Sequence, residues 1–368
     1  MYFHPKKTVL ASVLLGSFIS PIYATTLSAS NSADTEYQRG LDYLNGTHVS
    51  KSYPQAIHHF QKAAHQGNIA ALNRLGDHYY YGVGVTRSYA KALAYFEKAA
   101  AKGDAEAQDN LGVMYARGEG VKQDYAKAKQ YYQQAADQGF ALAQLHLGNM
   151  YYLGHTGTRS YTDAFTYYQK AAAQNNASAQ NRLGDLYYAG EGVAQSYTKA
   201  LSLYQKAAAQ GNADALDNLG YLYANGQGVV KSESKAVEYY QKAAAKGLVV
   251  AQLHLGNMYH LGHGIKQDYA KARRYYLQAA KEHSGLAYDN LGTLYANGQG
   301  VAKSYSKAAH YFREGVKFGN ARSAYSLGVL YLNGMGVPRS LEKAKTYLTH
   351  AANQGDLNAV AMLKKLSA

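Results

Sequence analysis

The chain has 368 residues, with 38 Lys and Arg against 24 Asp and Glu and a net charge of +14 when histidine is neutral. It contains no Cys, which excludes disulfide support, cysteine catalysis and Cys-containing zinc sites. The basic balance favours acidic partners, anionic surfaces or nucleic acid.

The N-terminus reads as an address. His4, Lys6 and Lys7 form a cationic start, Val9 to Ile19 is a short apolar run, and Ile22-Tyr23-Ala24 offers a cleavage site. This is the pattern of a secretory signal peptide over residues 1–24, too short to stay as a membrane span, with cleavage expected near Ala24 and a short linker over 25–32. No second apolar stretch follows and no Cys stands after the run, so neither a membrane span nor a lipid anchor is expected. The mature chain is expected to be periplasmic or secreted. Cleavage removes Lys6 and Lys7 and no acid, so the charge of +14 falls by two to +12. Export sets nucleic acid aside as a partner.

From residue 33 to 366 one phrase dominates. Leu-Gly-x-x-Tyr begins at Leu75, Leu111, Leu147, Leu183, Leu219, Leu255, Leu291 and Leu327, every 36 residues without insertion or deletion. A fixed period of this length means a stack of one supersecondary unit, in which each copy buries its apolar face on its neighbours. In the copy from Ala70 to Ala105, the residues Ala71, Leu72, Leu75, Gly76 and Tyr79 recur at helical spacing and define helix A. Gly76 has an equivalent in all nine copies from Gly40 to Gly328, which predicts close approach of a neighbouring helix. Gly82 predicts a positive-φ helix stop. After a Gly-x-Gly-Val connection, a Ser or Asp N-cap (Ser88, Asp124, Ser160, Ser196, Ser232, Asp268, Ser304, Ser340) announces helix B, whose buried face is Ala92, Phe96, Ala99 and Ala100. Gly103, or Asn175 and His283 in two copies, closes it.

Arg39 and Lys364 stand where other copies have Leu and Gly, which fits terminal copies facing water. A longer rhythm overlies the repeat: Asn73-Arg74, Asp109-Asn110 and Leu145-His146 return 108 residues later as Asn181-Arg182, Asp217-Asn218 and Leu253-His254.

The phrase Ala-x-x-x-Leu-Gly-x-x-Tyr-x-x-Gly-x-Gly-Val, followed by Asp-Tyr-x-Lys-Ala-x-x-Tyr-Tyr-x-x-Ala-Ala-x-x-Gly, as in Ala107 to Gly139, resembles the Sel-one-like repeat (SLR) family, relatives of the tetratricopeptide repeats. The resemblance covers nearly all of residues 33–366, read as eight full repeats with partial or capping units at both ends. It implies an all-α solenoid of helix-turn-helix units, coiled into a right-handed superhelix and used as a protein-binding scaffold. Two loops depart from the pattern, at Gly154-His155-Thr156-Gly157 and at His48, and are expected to differ in shape.

Most tyrosines fall on the repeated ladders. Tyr37, Tyr80, Tyr81, Tyr152, Tyr188, Tyr221 and Tyr325 do not, and all seven occupy positions equivalent to 73, 77, 80 or 81. At about 100° per residue these positions point away from the stripe of Ala71, Leu75 and Tyr79, and are expected to form one exposed face of helix A. The same face carries Asn73, Asp77, Asp109, Asn149, Asp185, Asp217, Asn257 and Asp289. The resemblance implies that this is the concave lining, and aromatic anchors mixed with short polar groups suit protein recognition. The plainer reading is that a Tyr-rich chain exposes some tyrosine.

Lys91, Lys127, Lys199, Lys235, Lys271, Lys307 and Lys343 lie in the first turn of helix B. A solvated face that aids solubility is the plainer reading; an anionic-surface or glycan binder is the rival. His254, His260 and His263 lie close together but lack the paired spacing of a zinc motif. Gly118-Glu119-Gly120 follows a helix rather than a strand, so it is not a dinucleotide loop. No metal, cofactor or catalytic residue is expected, and a hydrolase is the weakest reading. The sequence thus reads as an exported, monomeric, non-enzymatic scaffold that binds a protein along helix A. Two roles stay open: a periplasmic regulator or immunity protein neutralising a secreted effector, and a surface or secreted virulence factor binding host proteins.

Overall fold

A computed structural model describes residues 32–155 and 157–367. The expected signal segment, its cleavage site and linker residues 25–31 lie outside the described residues, as does Thr156 in the irregular loop. The described residues form nineteen α-helices and no strand. Helix A of successive repeats is α1 (Ser32–Asn45), α3 (Ile69–Tyr81), α5 (Ala105–Arg117), α7 (Ala141–Leu153), α9 (Ala177–Ala189), α11 (Ala213–Asn225), α13 (Val249–Leu261), α15 (Gly285–Asn297), α17 (Ala321–Asn333) and α19 (Leu357–Ser367). Helix B is α2 (Tyr53–His65), α4 (Tyr89–Ala100), α6 (Tyr125–Asp137), α8 (Tyr161–Ala173), α10 (Tyr197–Ala209), α12 (Glu233–Ala245), α14 (Tyr269–Lys281), α16 (Tyr305–Lys317) and α18 (Leu341–Asn353). Two compact units result, divided between Lys102 and Gly103: α1–α4 form unit 1 and α5–α19 form unit 2. Within each, every helix packs on the next in sequence.

Local chemistry explains the punctuation. Ser88, Asp124, Ser196 and Ser304 accept a hydrogen bond from the backbone N–H three residues on, and each such cap contributes about 1 kcal/mol. Helix A is capped in the same way by Asn68, Asp104, Asn176 and Asn212, but not at Phe140 or Leu248, two sites 108 residues apart. Gly82 ends α3 in the left-handed conformation at φ 71°, and His48, Asn175 and His283 adopt φ of 63°, 62° and 60° where other copies have Gly. His48 therefore keeps the left-handed backbone of the glycine it replaces.

Helix B lays one buried ring across helix A in each repeat but the last, where Leu348 takes its place against Gly328. Phe96, Tyr132, Tyr168, Tyr204, Tyr240, Tyr276 and Phe312 are all buried. A Cβ added at Gly76 would lie 2.3 Å from Phe96, and one at Gly148 would lie 2.5 Å from Tyr168. The glycine ladder is thus the slot for the ring, and it accepts a cost in helix propensity to make room.

Beside this core a second aromatic ladder runs along each unit. Tyr79 stacks on Tyr95 with centroids 5.7 Å apart, and Tyr115, Tyr223, Tyr259, Tyr295 and Tyr331 stack likewise on Tyr131, Tyr239, Tyr275, Tyr311 and Tyr347. The first-turn lysines of helix B are exposed but not simply solvated. Lys91, Lys127, Lys199, Lys235, Lys271, Lys307 and Lys343 each hold Nζ over the ring of Tyr79, Tyr115, Tyr187, Tyr223, Tyr259, Tyr295 and Tyr331 respectively, 5.0–5.4 Å from the centroid.

Candidate protein-binding face of helix A

The face expected to be exposed divides into two layers. Asn73, Asp109, Asp217 and Asp289 are buried, at 1, 4, 8 and 0 % exposure, which corrects their placement on an open lining. Buried polar groups need hydrogen-bond partners, and in unit 2 the next repeat supplies them. His146 Nδ1 lies 2.8 Å from Asp109 Oδ1, and 108 residues later His254 Nδ1 lies 2.9 Å from Asp217 Oδ1. Asn218 Nδ2 donates to Asn181 Oδ1 at 3.0 Å and to Asp185 Oδ1 at 3.1 Å. Asp289 pairs with Arg322 and accepts from Ser323 Oγ at 3.1 Å; burial raises its pKa, opposed by Arg322. In unit 2 this position is therefore a seam between repeats. Tyr37 and Tyr325, at the same position, are half-buried: Tyr37 packs on Phe60 at 5.7 Å, and Tyr325 packs against the cluster of Ala324, Leu348, Ala351 and Ala359.

The second layer is half-open. Asn149 and Asn257 accept from the buried hydroxyls of Tyr168 and Tyr276 at 2.8 and 2.7 Å, so helix B reaches through the repeat to the lining. Asp185 accepts from Tyr204 at 2.9 Å and from Arg182 Nη1 at 3.3 Å. Desolvation pushes Asp185 up to about 6 against the pull of Arg182. In unit 1, Asp77 pairs with Arg74 at 2.8 Å, and Tyr80 packs edge-on against Tyr81 and Tyr89.

Tyr152 and Tyr188 are also only half-exposed. Tyr152 packs edge-on against Tyr161, and its hydroxyl meets Glu191 in the loop of the next repeat; burial and the Glu191 and Asp185 charges push it up to about 12. Tyr188 packs on Tyr197 and donates to Gln227 Oε1 at 3.1 Å; burial pushes it, too, up to about 12. His260 repeats the arrangement against Tyr269 and Gln299, with its pKa lowered by burial. These rings are struts between repeats as well as lining.

What remains open to contact is narrower than the sequence suggested. Tyr81 in unit 1 and Tyr221 in unit 2 are exposed at 46 and 41 %, with Tyr221 6.0 Å from Tyr188 in a T-shaped pair. Leu153 and Leu261, at 44 and 57 %, were missed by sequence reasoning although they stand 108 residues apart at the position of Tyr81. Helices α5, α7, α9, α11, α13, α15 and α17 contain no lysine and carry six acidic residues against the three arginines Arg117, Arg182 and Arg322, so these helices, unlike the terminal α19 with Lys364 and Lys365, are set apart in charge from helix B. Among the described residues no three His, Asp or Glu side chains converge as metal ligands would, and no helix is long and apolar enough to cross a membrane.

A family model of the Sel1 repeat matches residues 33–68, 69–104, 105–140, 141–176, 177–212, 213–248, 249–284, 285–317 and 321–356. The chain belongs to the Sel1 repeat family. Proteins built of Sel1 repeats are in general scaffolds for protein interaction, and the helical-repeat fold described above is theirs. A solved structure similar to this Sel1 repeat chain is a protective antigen present in uropathogenic Escherichia coli strains and displaying an SLR fold. It is 33% identical with a TM-score of 0.71, over 91% of this chain and 72% of that one. A Sel1 repeat protein from Oxalobacter formigenes is 28% identical with a TM-score of 0.63, over 94% of this chain and 98% of that one. No curated protein matches the chain.

Proposed function

We propose that this Sel1 repeat protein is an exported, non-enzymatic scaffold that binds a protein partner on the helix-A face of unit 2. The observation that carries the reading is the exposed set of Tyr221, Leu153 and Leu261 on lysine-free helices, backed by the half-buried Asn149, Tyr152, Asp185, Tyr188 and Asn257. A large aromatic with apolar flanks and immobilised polar groups behind it has the make-up of an interface hot spot. The buried seam fixes these side chains in advance, which reduces the ordering entropy of association. In unit 1, Tyr81 is the corresponding exposed aromatic, beside Tyr80 and the Arg74–Asp77 pair.

Export rests on the leader-like residues 1–24 and is favoured by the likeness to a protective antigen, which also favours a role at the bacterial exterior. The test is affinity capture by the mature chain from the periplasmic and secreted fractions, with mass spectrometry of what is retained. A partner held by the parent and released by Tyr221→Ala supports the reading. A partner held equally by both places binding elsewhere.

A further inference from the structure

We infer that unit 2 carries a second interaction surface, a row of tyrosine-mounted lysines that binds a linear anionic polysaccharide. The row is maintained even where the repeat breaks it. In the fourth repeat Asp163 takes the place of the first-turn lysine, yet Tyr151 still has an ammonium over its ring at 5.0 Å, supplied by Lys129 of the preceding repeat. Every ring of this ladder in unit 2, from Tyr115 to Tyr331, therefore holds a cation. Chance placement in a lysine-rich helix does not restore a missing charge from the neighbouring repeat.

A cation over an exposed ring contributes about 0.5–1 kcal/mol, enough to hold the side chain in place but too little to consume its charge. Among the described residues, Lys271 is the one member of the row that also meets a carboxylate, Asp268 at 3.7 Å. The others present ammoniums that meet no carboxylate, one over each of the remaining rings, and such a row is complementary to a chain that carries an acidic group at regular intervals.

The engaged rings favour a polysaccharide over single-stranded nucleic acid, which binds by stacking bases on free aromatic faces. Tyr223 lies under Lys235 and stacks on Tyr239, and Lys242 lies over Tyr239 in turn. A membrane surface would call for a continuous apolar area beside the charges, whereas the exposed apolar side chains near the row are the separate Val230 and Leu341, and Leu153 and Leu261 lie on helix A. A carboxylated or sulfated polysaccharide needs neither.

Heparin serves as the probe. The parent should bind it at physiological salt, and replacing Lys127, Lys199, Lys235 and Lys307 together by Gln should weaken binding on the order of 100-fold and flatten the slope of log affinity against log salt by about 3–4. Replacing Lys122, Lys206, Lys246 and Lys281 by Gln removes the same charge away from the rings and should cost less than about fivefold. The four Lys→Arg changes in the row should retain binding, and circular dichroism on every variant separates misfolding from lost contact. Equal loss in the two Gln sets would reduce the effect to net charge and overturn the inference. So would absence of heparin binding by the parent, or tighter binding to 3:1 phosphatidylcholine–phosphatidylglycerol vesicles or to oligo-dT than to heparin.

Discussion

Gly148→Ala probes the packing rule on which every repeat depends. Helix propensity alone favours alanine by about 1 kcal/mol. Against this, the new methyl carbon would sit 2.5 Å from both Cδ1 and Cε1 of Tyr168, whereas ordinary contacts begin near 3.4 Å, so the ring must retreat by almost 1 Å. The ring has nowhere to go: Tyr168 is fully buried, and its hydroxyl is tied to Asn149 at 2.8 Å. Overpacking of this kind costs about 1–3 kcal/mol, and a strained or lost hydrogen bond adds about 0.5–1.5 kcal/mol. The net expectation is destabilisation by about 1–3 kcal/mol, read as a lower midpoint in urea followed by far-ultraviolet circular dichroism. In a Tyr168→Ala background the clash is gone, and the same change should be neutral or stabilising by up to about 1 kcal/mol. A Gly148→Ala protein as stable as the parent would refute the slot-and-ring account of the glycine ladder.

Further outcomes follow from the seams and the termini. Asp109→Ala and His146→Ala should be non-additive, with a coupling on the order of 1 kcal/mol, and Asp217 with His254 should give a similar value; additive losses in double-mutant thermal melts would remove the seam. Asp185 has a folded pKa of about 6, above the roughly 3.9 of an unfolded aspartate, so the fold holds its proton more tightly. Its contribution to stability therefore grows as pH falls from above 6 towards 4 and is lost as pH rises through 6. Asp185→Asn should shrink the difference between urea midpoints measured on either side of that window. Intact-mass measurement of the exported protein should give a chain starting near Thr25, and a mature species retaining Met1 would contradict export by cleavage.

The helices, their caps and their glycine stops were legible because each depends on residues within one turn or one loop. Ser88, Gly82 and Gly76 announce themselves by type and spacing, and the 36-residue period supplies the rest. The lining was only half legible. A helical wheel gives the direction of Asp109 or Asp217 relative to its own helix, but not the depth to which the next repeat covers it. The covering partners, His146 and His254, stand 37 residues away. The 108-residue rhythm was the available signal, since the pairs it repeats, Asp109-Asn110 with Leu145-His146, are those that meet across seams. Exposed positions are less constant under the same shift: Tyr81 becomes Ala189 and Arg117 becomes Asn225, although Leu153 returns as Leu261. The rhythm therefore encodes packing between repeats more than surface. Lys129 was illegible for a related reason, because it serves a ring in the following repeat.

The central claim, that a protein partner lies on the helix-A face of unit 2, is tested most directly by hydrogen–deuterium exchange of the mature chain with and without the captured partner. Peptides spanning the ends of α7, α9, α11 and α13, which contain Leu153, Tyr188, Tyr221 and Leu261, should gain protection. Peptides from α6 and α10, around Lys127 and Lys199, should not. With about 1–2 kcal/mol expected from each anchor, a Tyr221→Ala, Leu153→Ala, Leu261→Ala protein should lose that protection at the same partner concentration. Protection confined to helix B, or unchanged in the triple variant, would contradict the account.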